Sequence, residues 1–193
     1  MKFSLQTVIW TFVLYLIAIL LYGYQFAISD QVEILPILDL WSSESALFPK
    51  DFYVQSFLEK TVTERTPYLW FLNATTNGSA LGIFVLHAIF SLSFYAGLLR
   101  LGEWISGSFK VSALLSLAFL MTYTLTNFGG NELYYNYLIP SLPAKSLGIW
   151  AILFWLKKEK LLAHTLLACA TLFQPLVGLQ LFLIRTLVDV YES

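Results

Sequence analysis

The feature that most constrains this chain is a set of long apolar runs that carry no charge. A helix that crosses a bilayer needs about 20 mostly apolar residues, because the hydrocarbon core is about 30 Å thick and each residue adds about 1.5 Å. The four runs that meet this requirement are Val8–Ile28, Ala80–Leu99, Val111–Phe128 and Leu161–Ile184. A fifth run, Ser141–Leu156, is short and carries Lys145 one turn in, but this lysine can extend to the membrane surface.

The composition supports a membrane protein. Of the 193 residues, 58% are hydrophobic and 12% are charged, whereas soluble domains carry about 25% charged residues. A bilayer solvates such an excess of apolar side chains directly. We therefore predict an all-α, polytopic transmembrane helix bundle with about five spans, forming a single membrane domain over residues 1–193. No basic run suggests nucleic acid, and the single cysteine, Cys169, excludes a disulfide within the chain.

The distribution of charge predicts the orientation. Lysine and arginine concentrate in the short cytoplasmic loops of membrane proteins. A cytoplasmic N-terminus places six cations on that side, opposed there by Glu103 and Glu159 alone: Lys2, Arg100, Lys110, Lys157, Lys158 and Lys160. The first run can also be interpreted as a cleaved signal peptide ending near Ala27. Its apolar region is long for a signal, however, and its terminal tyrosines suit an interfacial aromatic belt.

The loop at residues 29–79 is then extracytoplasmic and is the one place large enough to build a site. We expect a helix after Asp30 that is interrupted or kinked at Pro36, and another helix beginning at Thr66-Pro67. Between them, Phe52–Val62 predicts an amphipathic helix on the outer membrane surface. Its apolar face would contain Phe52, Phe57, Leu58 and Val62.

Asp30 and Glu33 are the first candidate site residues. Their spacing of three places both carboxylates on one helix face, directly after the first run and close to the membrane surface. A general base or a metal ligand at this depth would meet a lipid-borne substrate. The same Asp-x-x-Glu pattern is also an N-terminal capping pattern, in which Asp30 accepts backbone N–H bonds. Both interpretations stay open at the level of the sequence.

Two cations are candidates for binding phosphate. Lys145 lies one turn inside the outer face, where a charge is costly unless it has a partner, and a lipid phosphate or an ordinary headgroup would serve. Arg65 can hold a phosphate or pair with Glu59 or Glu64.

Two further acids complete the candidate set. Asp51 precedes Phe52 and can cap the helix that follows. Glu132 lies in a second outer loop, where glycines and tyrosines around it suit a sugar or phosphate pocket.

Several motifs carry a resemblance to known proteins. These are Gly23-Tyr24-Gln25-Phe26, Asp30-Gln31-Val32-Glu33-Ile34-Leu35-Pro36, Leu47-Phe48-Pro49-Lys50-Asp51-Phe52-Tyr53, Gly129-Gly130-Asn131 and Phe173-Gln174-Pro175-Leu176-Val177-Gly178. Together they resemble a group of uncharacterised bacterial polytopic membrane proteins, although Gln174 stands where that group is expected to have histidine. The group in turn resembles the N-terminal part of GT-C type glycosyltransferases, which take sugars from polyprenyl-phosphate donors.

The resemblance implies a site at the outer face of the bacterial inner membrane. Asp30 would be the general base or a ligand of a divalent metal, and Glu33 would support it. Lys145 or Arg65 would hold the donor phosphate, with Asp51 and Glu132 nearby. Such enzymes have more than five spans, so a further membrane subunit or a C-terminal half is expected.

Two other functions remain open. A non-catalytic integral membrane subunit or assembly factor is favoured by the absence of any Walker loop, dinucleotide fingerprint, His-Glu-x-x-His or Gly-x-Ser-x-Gly motif. A transporter is disfavoured because the apolar runs hold no Asp, Glu or Arg in their middles, where coupling residues usually lie.

Overall fold

The computed structural model describes residues 4–42, 50, 52–59, 62–122 and 135–192. All the regular secondary structure in this part of the chain is helical, which confirms the predicted all-α class. Two of its helices, α1 and α5, are long and apolar enough to cross a membrane, and four shorter apolar helices follow. The helices are α1 (Leu5–Tyr22), α2 (Gln31–Ser42), α3 (Phe52–Glu59), α4 (Thr66–Thr76), α5 (Ala80–Ser106), α6 (Phe109–Met121), α7 (Ser141–Leu156), α8 (Lys160–Phe173) and α9 (Pro175–Glu192).

The six apolar helices, α1 and α5 to α9, pack side by side with alternating direction. Tyr22 at the end of α1 donates a hydrogen bond to the carbonyl of Leu120 at the end of α6, 2.9 Å away, so these two helices are parallel. Ser112 near the start of α6 donates to the carbonyl of Leu99 late in α5, at 2.6 Å, so α5 and α6 are antiparallel. One end of the bundle therefore holds the end of α1, and the opposite end holds the α5–α6 and α7–α8 turns.

Small residues allow these helices to approach closely. A Cβ atom on Gly97 of α5 would lie 2.8 Å from Cγ2 of Ile149 in α7. A Cβ on Gly102 would lie 2.5 Å from the hydroxyl oxygen of Ser112. Helix pairs in membranes associate through small residues of this kind, because close backbone contact supplies the packing energy that hydrophobicity cannot supply in lipid.

The last predicted span, residues 161–184, differs most from the structure. It is two helices, α8 and α9, separated at Gln174, because Pro175 cannot donate the backbone hydrogen bond that a continuous helix requires. The chain reverses there: His164 in α8 bonds to Arg185 in α9, although 21 residues separate them. The predicted span is therefore a helical hairpin, and α9 also reaches α7, where Leu181 packs on Gly148.

The other boundaries agree to different degrees. Ser141–Leu156 coincides with α7. The run predicted to end at Ile28 ends as a helix at Tyr22, because Gly23 adopts the left-handed φ of 70° that terminates α1. By contrast α5 continues past Leu99 to Ser106, and its end is set by Gly107 at φ 67°. The predicted run to Phe128 is described as helix α6 only to Met121; residues 123–134 lie outside the described part.

The three short helices after α1 cover one end of the bundle. Helix α2 continues through Pro36, so of the two predicted forms, interrupted or kinked, the interrupted one is wrong. Helix α3 begins at Phe52 as predicted, but it buries Val54 (1% exposed) whereas Phe52 is 86% exposed. The side chains of Phe57 and Leu58 lie outside the described part. Helix α4 begins at Thr66-Pro67 as predicted. We call the end of the bundle that α2, α3 and α4 cover the covered end. The opposite end, which holds the α5–α6 and α7–α8 turns, is called the turn end.

Candidate functional site

Four of the six predicted site residues lie at the covered end of the bundle. Asp30 directly precedes α2, and Glu33 lies in its first turn. Arg65 precedes α4, and Lys145 lies in the second turn of α7. The remaining two, Asp51 and Glu132, lie outside the described residues. The structure thus brings together candidates that are 115 positions apart in the chain.

The segment that leads into α2 is held by a buried amide on each side. Gln31, which is 2% exposed, donates from Nε2 to the carbonyl of Leu138 at 3.0 Å and accepts from the N–H of Ala27 at 2.8 Å. Asn136 donates from Nδ2 to the carbonyl of Tyr22 at 2.9 Å. The backbone carbonyl of Asn136 accepts a further hydrogen bond from the N–H of Gln25, at 3.0 Å. These bonds tie the end of α1 to the segment before α7.

Gln31 and Asn136 were not among the candidates from the sequence. Their side chains act by bonding the backbone, and backbone partners more than 100 residues away leave no local pattern. Asn136 stands out in the sequence as an amide between two tyrosines, but Gln31 lies between Asp30 and Glu33 and gives no such signal. We interpret both as positioning residues for the start of α2.

The backbone at the entry to α2 bears on the role of Asp30. The first N–H groups of the helix donate to backbone carbonyls of Ile28, Ser29 and Asp30, at 3.0 to 3.2 Å. Within the described residues, no side-chain hydrogen bond from Asp30 caps the helix. Ala27 and Ser29 adopt positive φ values of 58° and 50°, a conformation that costs free energy in residues other than glycine. The hydrogen bonds from backbone N–H groups to the Asp30 side chain that the capping interpretation requires are therefore not seen among the described residues.

Glu33 and Arg65 form an ion pair that joins α2 to α4. Arg65 thus gains a partner in Glu33 that the sequence did not indicate, because α4 folds back beside the first turn of α2. The side chains are 48% and 31% exposed, and a pair this accessible to solvent contributes at most about 1 kcal/mol. The pair fixes the relative position of two covering helices, and a phosphate at this position would have to compete with Glu33 for Arg65.

Tyr68 lies one turn after Arg65 and is fully buried. Burial raises the pKa of its hydroxyl well above the ordinary 10.0, and the neighbouring Tyr24 and the negative charge of Asp30 raise it further. The hydroxyl makes no hydrogen bond within the described part of the chain. Burial thus favours the neutral hydroxyl of Tyr68, whose donor and acceptor capacity is unused within the described part.

His87 of α5 lies beneath this region and is completely buried. Its Nε2 is 3.1 Å from the carbonyl oxygen of Tyr135, which as an acceptor requires the proton on that nitrogen. The rings of Tyr24 and Tyr15 lie 5.0 and 6.2 Å from the imidazole, measured between centroids. The histidine thereby joins α5 to the segment before α7, and aromatic rings shield it.

Lys145 has an aromatic partner, as expected for a cation inside an apolar run, which is costly unless it is paired. Its Nζ lies 4.4 Å from the ring centroid of Tyr135, within the range of a cation–π interaction. Tyr135 is itself buried, beside Tyr137, Ile139 and Ile28. The ammonium group is thus directed to the covered end by the same segment that anchors Gln31 and His87.

A metal site does not form from the described residues. No group of three or more His, Cys, Asp or Glu side chains in the described ranges is placed to hold a metal ion. Glu33, expected to support Asp30, pairs with Arg65.

Comparison of the chain with protein-family models, with curated proteins and with solved structures gave no match.

Proposed function

We propose that the chain is an integral membrane protein whose helices cross the bilayer with the covered end outside. The distribution of side chains supports this placement, since the bundle carries apolar groups outward and several small polar groups inward. Only 22% of the residues of α1, and 33% of those in the apolar 18-residue stretch of α5, are buried. These fractions are low for core helices of a soluble protein. The exposed apolar side chains of α1 and α9 include Ile9, Phe12, Leu16, Leu20, Leu179, Phe182 and Leu183. The buried polar side chains of the bundle include Thr7, Ser91, Ser112, Ser116 and Ser146.

The hairpin modifies the expected topology. Five spans would leave the end of α9 outside, but α9 returns beside α8, so its end lies on the same side as the α7–α8 turn. That turn and the start of α6 carry Lys110, Lys157, Lys158 and Lys160. With the positive-inside rule, the turn end and Arg185 are cytoplasmic and the covered end faces outward.

We further propose that the covered end is the site of a GT-C-like glycosyltransferase module that uses a polyprenyl-phosphate-linked sugar. The observation that carries this proposal is the state of Asp30. Its carboxylate makes no cap within the described residues, and it shares the covered end with the buried hydroxyl of Tyr68 and the cation of Lys145. A base and a phosphate-binding cation at one membrane surface are the two charges that such a transfer needs.

In the proposed step, Asp30 accepts the proton of an acceptor hydroxyl while the oxygen of that hydroxyl forms a bond to the anomeric carbon of the donor sugar. The bond between that carbon and the phosphate oxygen breaks, and the polyprenyl phosphate leaves with the electron pair. Lys145 stabilises the negative charge of the leaving phosphate. Glu33 and Arg65 hold α2 against α4, and Asp51 and Glu132 stay in the proposal as substrate-binding residues from outside the described part.

The test is the substitution Asp30→Asn, with Asp39→Asn in the adjoining α2 as the matched control. The full protein in proteoliposomes is supplied with polyprenyl-phosphate-linked hexose and an acceptor, and release of polyprenyl phosphate is measured. We expect Asp30→Asn to abolish release with an unchanged thermal midpoint, because Asn preserves shape and cannot act as a base, and Asp39→Asn to retain activity. Transfer that survives Asp30→Asn would refute the role of Asp30. A protein that transfers no sugar would instead favour the non-catalytic membrane subunit.

A further inference from the structure

An open groove lies at the turn end, away from the proposed catalytic site. It has a volume of about 420 Å³ and is lined by Glu159, Lys160, Leu161, Leu162 and Thr165. This lining holds one cation and one anion. Lys157 and Lys158 immediately precede it, so the turn at residues 157–160 as a whole carries a net positive charge.

The groove combines charge with apolar surface in a definite order. Leu161 is 82% exposed and Leu162 is 39% exposed, directly beside Lys160. An exposed leucine next to lysines is unfavourable in water. In a membrane, the lysines lie at headgroup depth and the leucines contact the upper part of the acyl chains. One molecule that satisfies both is a phospholipid with a negative headgroup.

Lys158 occupies a strained position in this turn. Its φ is 63°, a left-handed conformation that glycine or asparagine adopts more easily than lysine. Its backbone N–H donates to the carbonyl of Trp155 at 2.8 Å, which closes the turn. A lysine at this position is therefore unfavourable for the turn itself, and its charge is the property that a replacement by Gly or Asn would lose.

We infer that this turn and its groove bind the headgroup of an anionic phospholipid from the cytoplasmic leaflet, with Lys160 of the lining and the adjoining Lys157 and Lys158 supplying the positive charge and Leu161 against an acyl chain. The inference rests on the membrane placement proposed above and is independent of the sugar-transfer chemistry. Bound lipid would hold the α7–α8 turn, and with it the hairpin, at a fixed depth in the membrane.

The experiment measures the retention of phosphatidylglycerol by the full protein, using native mass spectrometry from mixed detergent micelles that also contain phosphatidylcholine. We expect Lys158→Asn to lower the affinity for phosphatidylglycerol about five-fold, because a basic residue near an anionic surface contributes on that order. Its thermal midpoint should not fall, since asparagine suits the left-handed turn, and this separates lost binding from unfolding. The pair Lys157→Gln and Lys160→Gln should lower the affinity further.

Lys110→Gln is the matched control, since Lys110 is an exposed cation at the turn end that lies outside both the turn at residues 157–160 and the groove lining. Retained affinity in this control supports a specific groove, whereas an equal loss in Lys110→Gln and Lys158→Asn would overturn it in favour of a diffuse surface charge effect. Equal retention of phosphatidylglycerol and phosphatidylcholine by the unaltered protein would also overturn it. A protein that does not insert into vesicles of either lipid would refute the membrane placement itself, whatever the outcome for Asp30.

Discussion

The substitution Gly178→Ala tests the hairpin, because the hairpin and a single kinked helix predict opposite signs. Gly178 lies in the first turns of α9, and its φ is not in the left-handed region. In an ordinary helix interior, replacing such a glycine by alanine stabilises by roughly 0.5–1 kcal/mol. In the hairpin, the new Cβ would lie 2.5 Å from the Cα and 2.0 Å from the hydroxyl oxygen of Thr171 in α8.

The magnitude follows from that distance. Carbon atoms pack at about 3.5 Å or more, so α9 would have to move away from α8 by about 1 Å. Overpacking of this kind costs about 1–3 kcal/mol, which exceeds the gain in helix propensity. We expect Gly178→Ala to destabilise the protein by about 1–2 kcal/mol, whereas Gln180→Ala, at an exposed position two residues later, should change the stability by less than about 0.5 kcal/mol.

The assay is unfolding by dodecyl sulfate titration from a mild detergent, followed by the fluorescence of Trp150 and Trp155 in the adjoining α7. A double-mutant cycle with Thr171→Ala adds a second criterion. Residues 171 and 178 are two turns apart in one helix and would not couple, but in the hairpin they touch and should couple by more than about 0.5 kcal/mol. A Gly178→Ala protein that is more stable than the parent, without coupling to Thr171, would refute the hairpin.

Three further predictions concern topology, phosphate binding and pH. In a Cys169→Ser background, a cysteine at Gln55 should react with a membrane-impermeant reagent in intact cells and one at Lys158 should not; the reverse pattern would invert the proposed orientation. Lys145→Gln should lower the affinity of the protein in proteoliposomes for polyprenyl phosphate at least about ten-fold, and Lys145→Arg should retain this affinity. The loss of stability in Lys145→Gln should stay below about 2 kcal/mol, the upper range of a cation–π contact. The folded pKa of Tyr68 is raised above the unfolded 10.0, so its contribution to stability is constant below pH 10 and falls as the pH rises further, by at most about 1.4 kcal/mol per pH unit. Thermal midpoints across this range should fall less steeply for Tyr68→Phe, and identical profiles would contradict the buried, protonated hydroxyl.

The candidate site could be predicted from the sequence only in part. Asp30 and Glu33 were found because a helix places residues three apart on one face, and Lys145 was found because a cation inside an apolar run requires a partner. The identity of each partner was not predictable: Arg65 for Glu33 and Tyr135 for Lys145 depend on which helices come side by side. These roles in sugar transfer remain proposals.

The sequence by itself determined the features that depend on one stretch of chain at a time. Apolar runs without charge predicted the helical class, Ser141–Leu156 predicted α7 to the residue, and Thr66-Pro67 marked the start of α4. Each follows from hydrophobicity, helix length or a local backbone preference, which act within a few residues.

Only the tertiary structure decided the features that depend on contacts between distant residues. Pro175 signals a break in the helical hydrogen bonds, but whether the chain bends or reverses there depends on the packing of Gly178 against Thr171 and of Leu181 against Gly148. The buried amide of Gln31 likewise acquires its role from the carbonyl of Leu138 on the opposite side of the covered end. Packing energies of this kind belong to pairs of surfaces, so no pattern along a single segment encodes them.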